Sequence, residues 1–226
     1  MEKKREMEDA FILSHVDHTL LAATASWSEI EKLCNEAIKY KTASVCIPPC
    51  YVKRVRKEFP DLVICNVLGF PLGNDTLAAK ALAAQAAVED GTDEIDMVIN
   101  ISDVKNGDFT NIGTEIQVLK QIIGDKVLKV IIETCYLTDE EKEKLCRIVT
   151  DAGADYIKTS TGFGTAGATL QDIELFKKNI GPDVKMKAAG GIRSREDMVM
   201  FIEAGCSRLG TSSAIKILKG GEAGAY

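Results

Sequence analysis

The chain has 226 residues, 46% of them hydrophobic, with 34 acidic and 28 basic side chains and a formal charge of −6. That is enough apolar material for one large domain with a full core, and an acidic balance argues against nucleic-acid or membrane-surface binding as the main task. Seven cysteines, none in a Cys-x-x-Cys pair, and two histidines, His15 and His18, speak against a structural zinc site and for free thiols in a reducing cytoplasm.

The first residues, Met1-Glu2-Lys3-Lys4-Arg5-Glu6-Met7-Glu8-Asp9, lack the apolar centre of a signal peptide. Residues 1–11 are expected as a short N-terminal helical extension. No later run has the length of a membrane helix. Strand-like runs rich in Val and Ile then recur at 12–17, 43–47, 63–69, 94–100, 127–133, 156–160, 184–188 and 208–210. Helical patterns fill the intervals. Ser28-x-x-Glu31 precedes a face of Ile30, Leu33, Cys34, Ala37 and Ile38; Thr138-x-x-Glu141 and Ser194-x-x-Asp197 are further capping boxes. Helix ends are expected at Asp90-Gly91, Ala152-Gly153 and Ala204-Gly205, each shortly before the next strand.

Eight alternations of strand and helix, with no composition break, predict an α/β protein, a single (β/α)8 TIM barrel over residues 1–226, with 220–226 as a flexible C-terminal tail. An open doubly wound sheet is the alternative, and eight repeats in so short a chain favour closure. The glycines and hydroxyls cluster just after the strands, on the face that carries catalysis in such barrels.

Lys158 is a charged amine inside Asp155-Tyr156-Ile157-Lys158-Thr159-Ser160, which otherwise reads as a buried strand. Burying an ammonium is costly unless it loses its proton or gains a partner. A neutral buried lysine near another cation can attack a carbonyl and form a Schiff base. Alternation puts Lys158 on the barrel side of the sixth strand, Lys187 on that of the seventh and Asp96 on that of the fourth. The two amines are then close enough for one to disfavour protonation of the other, with Asp96 to balance charge and move protons. A structural ion-pair cluster is the competing reading of the same pattern. Thr159-Ser160-Thr161-Gly162, Gly190-Gly191 and Gly210-Thr211-Ser212-Ser213 follow the last three strands. Their amides and hydroxyls, and a helix starting near Ser213, suit an anion such as phosphate. His18 is expected to bond within the first strand–loop junction, and Lys129 and Glu133 to form an inward-facing polar pair.

Val16-Asp17-His18-Thr19-Leu20-Leu21, Gly69-Phe70-Pro71-Leu72-Gly73, Glu94-Ile95-Asp96-Met97-Val98-Ile99-Asn100, Lys158-Thr159-Ser160-Thr161-Gly162-Phe163 and Gly210-Thr211-Ser212-Ser213 stand in one order from Val16 to the C-terminus. In this the chain resembles the 2-deoxyribose-5-phosphate aldolase family. The resemblance implies a class I, metal-free enzyme that needs no cofactor. It would reversibly cleave 2-deoxy-D-ribose 5-phosphate to D-glyceraldehyde 3-phosphate and acetaldehyde. It also implies Lys158 as the Schiff-base lysine, with Asp96 and Lys187 as proton donors and acceptors. Asp17 matches a supporting carboxylate, Cys46 a residue near the acetaldehyde site, and Tyr226 a tail residue that reaches the site. Gly162, Gly190, Gly191, Ser212 and Ser213 match the phosphate positions, while Phe163 stands where some relatives carry a phosphate-binding lysine. The implied partners are a phosphorylated sugar and aldehydes, and the implied assembly is a monomer or homodimer. A transaldolase-like Schiff-base aldolase and a non-catalytic phosphate-binding barrel are the other functions this sequence admits.

Overall fold

Each strand-like run is followed by a helix or a long connection, so successive strands are returned to the same end and pair in parallel. The computed structural model describes residues 7–223. Its strands are β1 Val16–Thr19, β2 Ser44–Ile47, β3 Ile64–Leu68, β4 Glu94–Val98, β5 Val127–Ile131, β6 Tyr156–Lys158, β7 Lys185–Ala189 and β8 Arg208–Thr211. They pair in chain order, and β8 closes on β1. The helices are α1 Asp9–Leu13, α2 Trp27–Tyr40, α3 Val52–Glu58, α4 Leu77–Glu89, α5 Ile101–Asn106, α6 Phe109–Ile123, α7 Asp139–Asp151, α8 Leu170–Asn179, α9 Arg195–Ala204 and α10 Ala214–Leu218. The predicted (β/α)8 barrel is the fold observed.

Two boundaries differ from expectation. The run 12–17 is not one strand: Ile12 and Leu13 close α1, and β1 begins at Val16. The Ser14 hydroxyl donates to Phe11 O at 2.7 Å, and His15 N–H to Ile12 O at 3.0 Å, so local bonds turn the chain before it enters the sheet. The helical extension therefore reaches beyond residue 11. The cap of α2 is Ser26 with Glu29, not Ser28 with Glu31; Glu29 Oε2 accepts from Ser26 N at 2.8 Å and from its hydroxyl at 2.7 Å. The boxes at Thr138/Glu141 and Ser194/Asp197 form as expected. Gly205 ends α9 in the left-handed region, where a Cβ would be strained.

The core divides into two layers of opposite character. Facing the helices, Ile95, Met97, Leu128, Val130, Ile157, Met186, Ala188 and Leu209 pack with Ile112, Ile116, Leu145, Val149, Ile173, Phe176, Met198 and Phe201. Each fully buried Ile, Leu or Phe of this kind contributes about 1.5–3 kcal/mol. A second apolar group joins Ile30, Leu33 and Ala37 of α2 to Val45, Ile47 and Ile64. Inside the barrel the charged side chains of Asp17, Glu94, Asp96, Lys129, Lys158 and Lys187 are buried beside a smaller apolar group of Cys46, Cys65 and Val67. The outer layer supplies the stability that allows this.

Candidate active site

Strand alternation and register set the interior. Lys158 stands opposite Lys187, Asp96 opposite Lys129, Lys187 opposite Arg208, and Asp17 opposite Ser44. Lys158 Nζ and Lys187 Nζ each donate to the same oxygen, Asp96 Oδ2, at 2.7 Å. The two amines are therefore no farther apart than twice that distance. Lys187 also donates to Asp17 Oδ2. Asp17 is held from its other side by Ser44 Oγ at 2.8 Å and Arg208 Nη1 at 2.7 Å. Lys158, Asp96, Lys187 and Asp17 are thus in one network, as the sequence predicts.

The lower half of that network bears out an inward Lys129 and adds Glu94, Arg208 and Cys65, which sequence reasoning missed. Lys129 Nζ lies 2.9 Å from Asp96 Oδ1, 2.6 Å from Glu94 Oε2, 3.2 Å from Cys65 Sγ and 3.6 Å from Asp17 Oδ2. Arg208 donates to both oxygens of Glu94, at 2.9 and 2.8 Å. The signal was present, since Glu94 and Asp96 alternate onto one face, but interior parity says nothing about partners across the barrel. Ligand atoms of Asp17, Cys65 and Glu94 lie within 4.8 Å of one another, a spacing that could hold a metal ion. The Lys129 ammonium is the cation these groups surround.

Lys129 and Glu133 were expected as a pair and do not act as one. Lys129 joins the carboxylates inside the barrel, whereas Glu133, beyond the end of β5, accepts from Thr161. His18 also differs from expectation. Its position in β1 points it outward, and Nε2 meets Glu36 Oε2 of α2 at 2.9 Å instead of a loop group. Tyr226 lies outside the described residues.

The electrostatics follow from burial against charge pairing. Burial opposes ionisation of Asp17 and Asp96, but the cations beside them reverse it. Lys187, Lys129 and Arg208 hold Asp17 below the ordinary carboxylate value of 3.8, and Lys129, Lys158 and Lys187 hold Asp96 well below it. Burial likewise disfavours charged Lys129 and Lys187, and the surrounding acids overcome it and raise both. Asp17, Asp96, Lys129 and Lys187 are therefore ionised throughout the neutral range.

Above this network opens a cavity of about 290 Å³ lined by Lys158, Gly162, Gly190, Gly191, Ser212 and Ser213, together with Arg193. The amine and the predicted anion rim share one chamber. Gly190 has φ +76°, and a Cβ there would lie 3.2 Å from Gly167 Cα and 3.3 Å from Gly162 Cα, so three backbone segments meet at the rim. Gly190→Ala is expected to push the rim open and weaken substrate binding by about tenfold, read as a rise in KM. Helix α10 starts at Ala214 and spans 5 residues, so amides and hydroxyls contribute more at the rim than a helix dipole does. Arg193 follows the Gly190-Gly191-Ile192 step directly and brings a positive charge to the rim. Phe163 sets its ring edge-on to Phe70, with centroids 5.4 Å apart. Cys46 is buried with Leu21, Cys65 and Val67, an apolar wall on the β1–β3 side.

A parallel eight-stranded barrel that gathers buried amines on carboxylates beneath a glycine- and serine-rimmed cavity has the build of a barrel aldolase. The comparison with known sequences agrees: residues 11–218 match the DeoC/LacD family aldolase, and the chain belongs to that family. It is an aldolase, a carbon–carbon lyase. It is 58% identical over 221 residues to the deoxyribose-phosphate aldolase of Clostridium botulinum strain Alaska E43, covering 97% of this chain and 100% of that one. With the deoxyribose-phosphate aldolase of Clostridioides difficile strain 630 it shares 59% identity over 209 residues, covering 92% and 95%. Its fold matches the solved tetrameric deoxyribose phosphate aldolase from Aeropyrum pernix with a TM-score of 0.85 at 32% identity, over 94% of this chain and 91% of that one.

Proposed function

We propose that this aldolase reversibly cleaves 2-deoxy-D-ribose 5-phosphate to D-glyceraldehyde 3-phosphate and acetaldehyde, through a Schiff base on Lys158. The observation that carries this is the position of the Lys158 amine, 2.7 Å from Asp96 and on the wall of the cavity whose other wall is the glycine–serine rim. The curated relatives of high identity bear the matching name.

Three carboxylates, Asp17, Glu94 and Asp96, face four nitrogen groups, on Lys129, Lys158, Lys187 and Arg208. Schiff-base chemistry requires the Lys158 amine to react in its neutral form. Its proton leaves through the open cavity, because the neighbouring Asp96 and Lys187 stay in their charged forms. The amine then adds to the sugar aldehyde, and loss of water leaves an iminium ion. The cation forms where an ammonium would stand, so Asp96 is already placed to stabilise it. The C3 hydroxyl gives up its proton as the C2–C3 bond breaks, and the bonding electrons flow into the iminium to give an enamine. Glyceraldehyde 3-phosphate leaves, and the enamine takes a proton at carbon. Water then adds and frees acetaldehyde and the lysine. Asp96 and Lys187, sharing one oxygen-centred contact with Lys158, are the groups placed to hold those protons. Gly162, Gly190, Gly191, Ser212, Ser213 and Arg193 hold the phosphate, Asp17 anchors Lys187, and Cys46 lines the two-carbon end.

Acetaldehyde with borohydride is expected to leave a stable two-carbon adduct on Lys158, located by peptide mass spectrometry; no adduct anywhere would sink the mechanism. Lys187→Leu should slow turnover by about 10²–10⁴-fold, measured at saturating substrate. It should also lower the melting temperature, because Asp17 and Asp96 lose a buried cation. Near-normal turnover would remove Lys187 from the proton path. Among the described residues no helix is long and apolar enough to cross a membrane. A cytoplasmic enzyme is the reading supported by seven free thiols, and a monomer or homodimer is the assembly we expect.

A further inference from the structure

We infer that Glu133 is a positioning residue for the anion end of the site, fixing the turn that presents Gly162 to the substrate. This rests on reading the glycine rim as the phosphate site.

Glu133 leaves β5 with φ +54°, the left-handed region, though it carries a side chain. Such conformations persist only where the surroundings over-determine them, and they concentrate at functional sites. Here the surroundings are one turn of the next loop. Glu133 is 2% exposed. Both of its oxygens accept from Thr161 N at 3.2 Å, and Oε2 also accepts from the Thr161 hydroxyl. Thr161 Oγ1 in turn accepts from Phe163 N at 3.0 Å. Gly162, with φ +89°, is therefore tied on both sides, and it both lines the cavity and packs on Gly190. The next residue extends the anchor. Thr134 N donates to Thr159 O at 3.0 Å, and Thr134 Oγ1 to Asp172 Oδ2 at 3.0 Å. The end of β5 thus holds the loop after β6 at successive residues. Lys158 makes its own bond to Asp96 and the oxygens of Glu133 bond Thr161, so the hydrogen-bond restraint from Glu133 acts on the rim, while its charge is also felt at the amine.

The test compares Glu133→Ala, Glu133→Gln and Thr161→Val on 2-deoxyribose 5-phosphate and on unphosphorylated 2-deoxyribose. Glu133→Ala is expected to raise KM for the phosphorylated sugar about tenfold or more, with kcat little changed and both constants for 2-deoxyribose near those of the parent enzyme. Glu133→Gln should recover most of the loss, since its amide oxygen accepts from Thr161 N and its amide nitrogen donates to Thr161 Oγ1. Thr161→Val should move KM in the same direction by less. Equal losses with both sugars, or losses confined to kcat, would overturn the inference, as would an unchanged KM in both Glu133→Ala and Thr161→Val. If Glu133→Ala does not fold, Thr161→Val decides by the same criteria. A parent enzyme with no preference for the phosphorylated sugar would instead overturn the phosphate-site reading, and this inference with it.

Discussion

Lys158→Met is expected to abolish turnover while leaving the barrel at least as stable as before. Removing a nucleophile that works as a unit with its proton partners costs on the order of 10⁵–10⁶ in rate, and the borohydride adduct should vanish with it. The stability half of the expectation comes from charge. With Lys158 gone, Asp17, Glu94 and Asp96 still face Lys129, Lys187 and Arg208, one cation for each acid. Methionine has a similar shape and carries no charge to desolvate. Single-turnover assays, adduct mapping and thermal melts on one preparation test both halves. An adduct that persists on Lys187 would move the covalent chemistry to the neighbouring strand. A large fall in melting temperature would mean that the Lys158 ammonium is part of what holds the interior together.

Asp96→Asn should damage both fold and activity. Asp96 accepts from Lys158, Lys187 and Lys129. An amide in its place leaves buried cations short of a carboxylate, at a cost of about 3–5 kcal/mol. For a chain of this size that is a fall on the order of 10 °C in melting temperature, with turnover down by about 10²–10⁴-fold. The pH dependence carries a sign that can be checked. Asp96 and Asp17 have folded-state values below their ordinary 3.8. The stability they contribute is therefore fully present above about pH 4 and is lost as pH falls toward the folded values. Lys187 has the opposite linkage. Its value is raised in the fold, so its contribution is complete below the ordinary lysine range and lost only at still higher pH. The melting-temperature gap between the parent enzyme and Asp96→Asn should accordingly stay level from pH 7 to 5 and narrow below pH 4. A gap that widens in acid would show that Asp96 is not the ionised centre of the cluster.

The two expectations differ because of what each residue faces. Lys158 borders the cavity, and Asp96 is the acid that three lysines share. Parity along single strands was enough to find both. Alternation around Ile157 and Met186 turns Lys158 and Lys187 inward, and alternation around Ile95 and Met97 does the same for Asp96. Alternation could not say that Arg208 and Lys129 converge on Glu94 from two other strands. It also could not say that Glu133 reaches sideways to Thr161 instead of inward to Lys129. The first strand was misread for a related reason. Ile12 and Leu13 are as apolar as strand residues, and what makes them helical is a hydrogen bond from Ser14 back to Phe11 together with their burial in the main core. Cap position failed by two residues at Ser26 because two serines offer the same chemistry there, and which one caps depends on where the helix docks.

Local rules therefore determined the alternation of eight apolar strands with helices, most of the caps, the side of the strands that carries Lys158, Lys187 and Asp96, and the ordered motifs that point to an aldolase. Those rules are short-ranged, set by period-two alternation, capping chemistry and turn residues. The closed barrel alone decided which charges share an oxygen, and that amine and anion rim open onto one cavity. Those relations join residues as far apart in the chain as Asp17 and Lys187. They exist only because β8 pairs with β1 and brings both ends of the sheet around the same axis.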